Sequence, residues 1–182
     1  WGQGRRPQIP TLADKFGVEG SVISAVDLIK GIGLYAGLEV IDVPGATGYF
    51  DTNYRGKGEY GLKELEVKDL VFIHVEAPDE AGHSGDISKK IETIEAFDKE
   101  VVGTILEGMR DVGDYRVMVL PDHLTPIPIR THVPDPVPFA IYDSRNRKTW
   151  PEGMSFDEES VKGSGVSIEN GYQIMDIFMR GE

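Results

Sequence analysis

The sequence predicts an α/β fold in which helices flank a mostly parallel β-sheet. Short apolar runs alternate along the chain with longer amphipathic stretches, which is the order that parallel strands with crossover helices produce. Two of these runs, at 70–73 and 117–120, are continuously apolar, as expected for central strands that are covered on both faces. The length of 182 residues fits one domain with a substantial core, and we predict no domain boundary within residues 1–182.

Five strands and four helices follow from this pattern. The predicted strands are 21–24, 38–43, 70–75, 116–120 and 138–142. The predicted helices are 27–36, 57–65, 87–109 and 173–179, and the third is the clearest because its apolar residues recur at near-helical spacing. Segments 44–56 and 145–165 are rich in glycine and polar residues, which is typical of surface loops.

The composition excludes several classes of function. The net charge is −12, with 31 acidic and 19 basic side chains and no basic stripe, so we predict no nucleic-acid partner. No stretch approaches the roughly 18 to 20 apolar residues that a membrane helix needs, so we predict no membrane partner. The absence of cysteine removes disulfides, thiolate catalysis and cysteine-ligated zinc, and it fits a cytoplasmic protein.

Three of the four histidines lie in loops next to predicted strands, and we expect them to meet. His83 follows the strand at 70–75, His123 follows the strand at 116–120, and His132 lies in a proline-rich loop before the strand at 138–142. Loops at the carboxyl ends of the strands of an open α/β sheet gather into one crevice, which is where ligands bind.

The residue types in this crevice indicate a metal site. Imidazole and carboxylate groups together bind divalent ions such as Zn, Mn, Fe and Co, and Asp79 with His83 can curl around one such ion. The adjacent pair Asp122 and His123 could serve a second ion, or one ion and its substrate. Either motif alone is most often polar surface, but the two together at successive strand ends favour metal binding. The loop position of His132, taken alone, fits capping or surface duty almost as well.

Other polar residues near these motifs have a more ordinary interpretation. His74 lies inside a predicted strand and is interpreted as a core histidine with satisfied hydrogen bonds. Glu76 and Glu80 could orient metal ligands, but a surface position is as good an explanation. Ser84 is predicted to start the helix that follows it.

Four motifs, in order along the chain, carry a resemblance to a known family: GATG at 45–48 with TN at 52–53, PDEAGHSG at 78–85, PDH at 121–123, and TH at 131–132 followed by DPVPF at 135–139. In these motifs the chain resembles the cofactor-independent phosphoglycerate mutases of the alkaline phosphatase superfamily. The similarity is closest to their archaeal-type branch, some bacterial members of which carry a homoserine kinase label. It runs along nearly the whole chain.

The resemblance implies a three-layer sandwich of helices around a mostly parallel sheet, and two divalent ions (Mn, Mg, Co or Zn). Carried over by position, Asp79, His83 and His132 are the implied ligands of one ion. Asp122 and His123 are implied ligands of the other. In the family, the nucleophilic serine and a further aspartate ligand lie in the N-terminal half of the protein. Nothing that resembles that half precedes Trp1. We therefore expect residues 1–182 to be the C-terminal part of a metal-binding, phosphatase-like domain, incomplete at its N-terminal side and inactive alone.

In the family, the serine takes the phosphoryl group of 2- or 3-phosphoglycerate and returns it to the other hydroxyl of glycerate. A phosphorylated small molecule is thus the implied substrate, and Arg130, close to His132, is the preferred candidate to bind it, ahead of Arg5 and Arg6. The alternatives are a related metal-dependent phosphotransferase or phosphatase, including a homoserine kinase, or a non-catalytic metal-binding fragment. Exposed apolar sheet edges make self-association a further expectation.

Overall fold

The computed structural model describes residue 4, residues 7–146 and residues 154–181. The strands are β1 (Gly20–Ile23), β2 (Glu39–Ile41), β3 (Leu70–Ile73), β4 (Arg116–Val119) and β5 (Ala140–Asp143). The α-helices are α1 (Leu12–Phe16), α2 (Asp27–Tyr35), α3 (Tyr54–Leu65), α4 (Ala77–Ser84), α5 (Ile87–Ala96), α6 (Gly103–Gly108), α7 (Glu158–Lys162) and α8 (Ile174–Arg180). A π-helical segment spans Phe97–Val102, and a 3₁₀ turn spans Gly171–Gln173. Arg5 and Arg6 lie outside the described residues.

A parallel sheet of three strands forms the centre of the fold, in the order β2-β1-β3. Val22 of β1 pairs with Val40 on one side and with Phe72 on the other. All four residues of β1 are buried, as the apolar pattern of a central strand requires. The α/β class with a parallel sheet is confirmed.

Two helices cover opposite faces of this sheet. Successive side chains of a strand point to opposite faces, so Ser21 and Val22 identify the two sides. On one side, Gly33 of α2 lies so close to Val22 that a methyl group would not fit. On the other side, Ser21 Oγ donates a 2.7 Å hydrogen bond to Glu64 of α3. The expected layering of helix, sheet and helix is therefore present at β1.

The expectation that all the strands share one sheet is wrong for β4 and β5 in the part of the chain that the structure describes. These two strands form a separate antiparallel pair, in which Arg116 is opposite Asp143. The same two side chains form an ion pair, with Arg116 Nε 2.6 Å from Asp143 Oδ2. An apolar run indicates that a strand is buried, but it does not specify which strand lies beside it or in which direction.

The long helix predicted at 87–109 is present but not uniform. It consists of α5, the π-helical segment at Phe97–Val102, and α6. Such π-helical segments interrupt α-helices without breaking them, and the spacing of apolar residues does not show them. Ser84 was predicted to start this helix, but the residue that caps it is Asp86. The Asp86 side chain accepts the N–H of Lys89 at 2.9 Å. Ser84 is instead the last residue of α4.

Several helices begin inside segments predicted to be loops. Helix α3 starts at Tyr54, where the Asn53 side chain accepts the N–H of Gly56 at 2.8 Å. Helix α7 starts within the predicted loop 145–165, capped by Asp157. Helices α1 and α4 were not predicted. They are too short for a periodic apolar pattern, although α1 carries a complete capping box.

Helix α4 is pressed against the loop that follows β4. Gly82 of α4 is buried, and a methyl group there would come within 2.5 Å of the Thr125 carbonyl oxygen. The glycine is therefore needed for a close approach, which places Asp79 of the same helix beside Thr125. This contact joins the end of β3 to the end of β4.

Helix α3 also lies close to β3, because Gly61 leaves room for the Ile73 side chain. Lys57 of the same helix is buried. A methyl group at Gly61 would overlap the Ile73 side chain. Lys57 is only 1% exposed, and its Nζ donates a 3.0 Å hydrogen bond to the His74 carbonyl. Burial lowers the pKa of Lys57 to about 8, and the nearby Glu76 carboxylate offsets only part of that effect.

Part of the apolar surface is not covered. The accessible surface is 12,102 Å², whereas a compact monomer of 20.1 kDa has about 8,700 Å². Phe72, on the face of the sheet that α2 covers at β1, is 47% exposed. Elsewhere, an open apolar groove is lined by residues that include Leu106, Val117 and Tyr142. No helix among the described residues has the length and apolar character to cross a membrane.

The close packing at Gly82 predicts an asymmetry between two glycine substitutions. Gly82→Ala forces α4 away from Thr125, and overpacking of this kind costs about 1 to 3 kcal/mol of unfolding free energy. The control is Gly31→Ala in α2, where a methyl group meets nothing within 4 Å and helix propensity gains up to about 1 kcal/mol. Urea unfolding measures both. Equal stabilities of the two variants would contradict the packing described.

The buried ammonium of Lys57 predicts a specific pH dependence of stability. Its pKa is about 8 in the folded state and 10.5 ordinarily, so between these values the unfolded chain binds a proton that the folded chain has lost. Raising the pH through this window therefore favours the folded state, by about 3 kcal/mol at most. We expect this rise in unfolding free energy to disappear in Lys57→Met and to remain in Lys63→Met, which removes an exposed lysine of the same helix. Urea unfolding from pH 7 to 10 is the measurement.

Candidate metal centre

Two segments bring the predicted site residues together. Helix α4, which begins just after β3, carries Asp79 and His83, and the loop 120–139 carries the other residues. The two limbs of this loop are tied by an antiparallel bridge between Leu124 and Val133, with a 3.1 Å hydrogen bond from Val133 N to Leu124 O. The bridge places His123 and His132 side by side. The predicted convergence is observed, although β4 does not belong to the parallel sheet.

Asp79, His83 and His132 form a small triangle, in which the two imidazole nitrogens face different oxygens of the Asp79 carboxylate. Asp79 and His83 lie one turn apart on α4, with Asp79 Oδ2 3.2 Å from His83 Nε2. Asp79 Oδ1 is 3.4 Å from His132 Nε2, and the two Nε2 atoms are 3.1 Å apart. The three side chains converge on one point, as the sequence predicts.

The protonation of His83 follows from its other nitrogen. His83 Nδ1 lies 2.9 Å from the main-chain carbonyl oxygen of Arg130, and a carbonyl can only accept a hydrogen bond. Nδ1 therefore carries the proton, and the lone pair of a neutral His83 is on Nε2, which faces Asp79 and His132. A main-chain carbonyl in this role is the usual partner of a metal-binding histidine.

The size of the triangle fits a divalent ion. An ion with bonds of about 2.1 Å separates neighbouring ligand atoms by about 3.0 Å at right angles and by about 3.4 Å in a tetrahedron. The separation of 3.1 Å between the two Nε2 atoms falls in this interval, and so does the distance from each Nε2 atom to the Asp79 oxygen that it faces, 3.2 Å and 3.4 Å. Two imidazoles and one carboxylate are also a donor set that first-row divalent metals favour. Glu76, Asp79 and Glu80 form a second acidic group that shares Asp79 with the triangle.

Asp122 and His123 adjoin this triangle but form no group of three donors among the residues that the structure describes. The His123 ring stacks on the His132 ring, with centroids 3.7 Å apart. His123 Nε2 is 3.5 Å from Asp122 Oδ2, and its Nδ1 is 4.0 Å from Asp79 Oδ1. The Asp122 side chain is 63% exposed, whereas the His123 ring lies against the triangle.

Thr125 is a site residue that sequence reasoning missed. Its hydroxyl donates a short hydrogen bond to Asp79 Oδ1 and lies 3.3 Å from His123 Nδ1. It therefore links the carboxylate of the triangle to the neighbouring histidine. No motif or spacing singles out this threonine, because its role depends on the packing of α4 against the loop.

A chain of polar contacts lies behind the triangle. The main-chain N–H of Val26 donates to Ser24 Oγ, which is 3.3 Å from His74 Nδ1, and His74 Nε2 is 3.3 Å from Glu76 Oε2. Burial lowers the pKa of His74, against the opposing effect of the Asp122 carboxylate. Burial also raises the pKa of Glu76, and the neighbouring Asp79 and Asp122 carboxylates raise it further. Partners on both ring nitrogens agree with the interpretation of His74 as a satisfied core histidine.

Arg130 stands at the rim of the centre in an unusual conformation. It is the sole non-glycine residue with positive φ among the described residues, at 56°. Its guanidinium lies against Gly85, the residue that ends α4. It is exposed, and no carboxylate pairs with it in the described part of the chain. Its charge is thus available at the edge of the metal centre.

Known proteins are similar in sequence over nearly the whole chain. A 2,3-bisphosphoglycerate-independent phosphoglycerate mutase from Methanosarcina acetivorans is 49% identical over 99% of this chain and 45% of its own length. A protein from Geobacter sulfurreducens, named a probable mutase of the same kind, is 47% identical over 98% of this chain and 45% of its own length. The chain therefore spans less than half the length of these curated relatives.

Solved structures show the same fold. A protein from Pyrococcus horikoshii is similar with a TM-score of 0.81 at 28% identity, over 96% of this chain and 52% of that chain. The cofactor-independent phosphoglycerate mutase from Thermoplasma acidophilum is similar with a TM-score of 0.69 at 26% identity, over 96% of this chain and 39% of that chain. The resemblance inferred from the four motifs is confirmed.

The sequence pattern of the Metalloenzyme superfamily matches residues 1–176. This range contains α4 and the loop 120–139, and so every donor atom of the triangle. The chain belongs to the Metalloenzyme superfamily.

Proposed function

We propose that this chain is the metal-binding C-terminal part of a phosphoglycerate mutase that interconverts 2- and 3-phosphoglycerate through a phosphoserine. The observation that carries the proposal is the triangle of Asp79, His83 and His132, in a chain that is 47% and 49% identical to two proteins with this name. In this proposal the nucleophilic serine is not one of residues 1–182. Ser84 is part-buried and donates its hydroxyl to the Ala81 carbonyl at 2.9 Å, which fits a structural role.

The proposed centre holds two divalent ions, with Mn, Mg, Co and Zn as candidates. Asp79, His83 and His132 are the proposed ligands of one ion, supported by the separations of their donor atoms. Asp122 and His123 are proposed ligands of the other. They adjoin the triangle, and a further donor from outside the described residues would complete their set. Such ions neutralise phosphate charge and lower the pKa of an attacking hydroxyl.

The chain's own residues have two tasks in this proposal. Thr125 donates to Asp79 Oδ1, and the Arg130 carbonyl accepts from His83 Nδ1, so both ligands are held in one orientation. The guanidinium of Arg130 is proposed to bind the phosphate or the carboxylate of the substrate, because its planar fork matches either group. Its exposure beside the triangle supports this role.

Two further expectations about the protein's surroundings remain proposals. A cytoplasmic location is supported by the absence of cysteine from the sequence. Self-association of this chain is supported by exposed apolar side chains on the sheet and helices, such as Phe72 and Ile91.

The proposed ligands predict a selective loss of metal binding. Asp79→Asn keeps the shape of the side chain but removes its charge, and we expect Mn²⁺ to bind at least about a hundredfold more weakly. Asp111→Asn, at an exposed position remote from the triangle, is the matched control and should bind Mn²⁺ as the unchanged protein does. Titration calorimetry of the complete gene product measures both. Equal affinities in the two variants would refute the ligand assignment.

The proposed activity predicts a difference between this chain and the complete gene product. We expect the complete gene product to interconvert 2- and 3-phosphoglycerate with Mn²⁺ or Co²⁺, and residues 1–182 alone to be inactive. The reason is that loss of a nucleophile costs on the order of a million-fold in rate. Coupled assays of both proteins, side by side, give the comparison. Turnover by residues 1–182 would contradict the missing nucleophile, and a complete product that phosphorylates homoserine but leaves phosphoglycerate unchanged would contradict the mutase.

A further inference from the structure

The main chain at Arg130 is held in a conformation that a residue with a side chain seldom adopts. Its φ of 56° lies in the left-handed region, where the Cβ atom crowds the following carbonyl oxygen. Glycine and asparagine are the residues that usually occupy such positions. Strained positions of this kind persist only where the surrounding structure over-determines them, and they cluster at functional sites.

A tight turn leads into this conformation. The Pro126 carbonyl oxygen accepts the N–H groups of Ile129 at 3.0 Å and of Arg130 at 2.8 Å. The turn thus closes on Arg130, two residues before His132. The next limb of the loop is fixed in turn by the bridge between Val133 and Leu124.

The consequence of this backbone conformation is the position of one carbonyl oxygen. The Arg130 carbonyl oxygen lies 2.9 Å from Nδ1 of His83. His83 belongs to α4 and precedes Arg130 by 47 residues in the chain. This hydrogen bond requires the proton on Nδ1 and leaves the lone pair of Nε2 toward Asp79 and His132. The opposite tautomer would put an N–H group 3.1 Å from His132 Nε2, where a metal ligand is needed.

We propose that the left-handed conformation of Arg130 is a positioning device, by which its main-chain carbonyl fixes the tautomer of His83 for metal binding. Arg130 then has two separable contributions. The carbonyl acts on the metal through His83, and the guanidinium acts on the substrate. This inference rests on the proposed metal centre, and it deepens that centre by assigning the residue that orients one of its ligands.

Substitutions at Arg130 separate the backbone from the side chain. Arg130→Gly and Arg130→Asn remove the guanidinium but adopt the left-handed conformation readily. Arg130→Val removes the same charge, and its β-branched side chain disfavours that conformation. We expect the glycine and asparagine variants to bind Mn²⁺ within about threefold of the unchanged protein, and the valine variant to bind it about 10- to 100-fold more weakly.

A second measurement detects the tautomer directly and excludes a general loss of structure. Long-range ¹H–¹⁵N spectra of the metal-free complete gene product distinguish a proton on Nδ1 from one on Nε2. We expect His83 to carry its proton on Nδ1 in the unchanged protein and in the glycine and asparagine variants, and to lose this preference in the valine variant. Substrate affinity should fall in all three variants, because each lacks the guanidinium.

The outcomes separate this inference from the proposal on which it rests. Mn²⁺ affinity that is unchanged in Arg130→Val, or equally weak in Arg130→Gly, overturns the positioning role, as does a proton on His83 Nε2 in the unchanged protein. If Asp79→Asn in the same titration does not weaken Mn²⁺ binding, the metal centre itself is refuted. A loss of affinity in Asp79→Asn with none in Arg130→Val refutes the positioning role alone.

Discussion

The carboxylate of Asp79 is the point through which the separate parts of this chain meet. It is carried by α4, which follows the parallel sheet, and it accepts the hydroxyl of Thr125 from the loop after β4. The same carboxylate faces His83 Nε2 at 3.2 Å and His132 Nε2 at 3.4 Å. The parallel sheet and the antiparallel pair β4–β5 share no strand-to-strand hydrogen bonds. The polar contacts of Asp79 join them at one edge. Fold and site therefore depend on the same few atoms.

Close packing around the site explains two of the glycines. Gly82 allows α4 to touch Thr125, and Gly61 allows α3 to approach Ile73 behind the site. In terms of helix propensity both residues weaken the helices that contain them. Both glycines instead allow a helix to lie closer to its neighbour than any larger residue would, and helix propensity does not describe this effect. Close packing near a site that needs separations correct to a few tenths of an ångström outweighs the modest cost in each helix.

The sequence predicts the parts of this structure that depend on local chemistry. The apolar runs locate β1, β3 and β4, and the Asp-x-x-x-His spacing identifies Asp79 and His83 as a pair that can hold one ion. The helical turn that places both on the same side of α4 was not predicted. The antiparallel direction of β5 was not predictable, since it follows from the path of a long loop rather than from the strand itself. Thr125 and the Arg130 carbonyl were missed for a related reason. A hydroxyl or a main-chain oxygen gains its role from what lies opposite, and no residue type encodes that.

The charges around Asp79 give a physical reason for a cation at this place. Glu76, Asp79 and Glu80 bring their oxygens within 4.8 Å of one another, and Asp122 is near enough to raise the pKa of Glu76 further. Lys57 is the buried cation behind them, yet its Nζ is hydrogen-bonded to the His74 carbonyl and burial lowers its pKa. Its single positive charge offsets only part of the repulsion among these four carboxylates. A divalent ion on the open side would reverse the sign of the local field and favour every one of these carboxylates in its ionised form. The acidic cluster is thus costly without a cation and is stabilised by one.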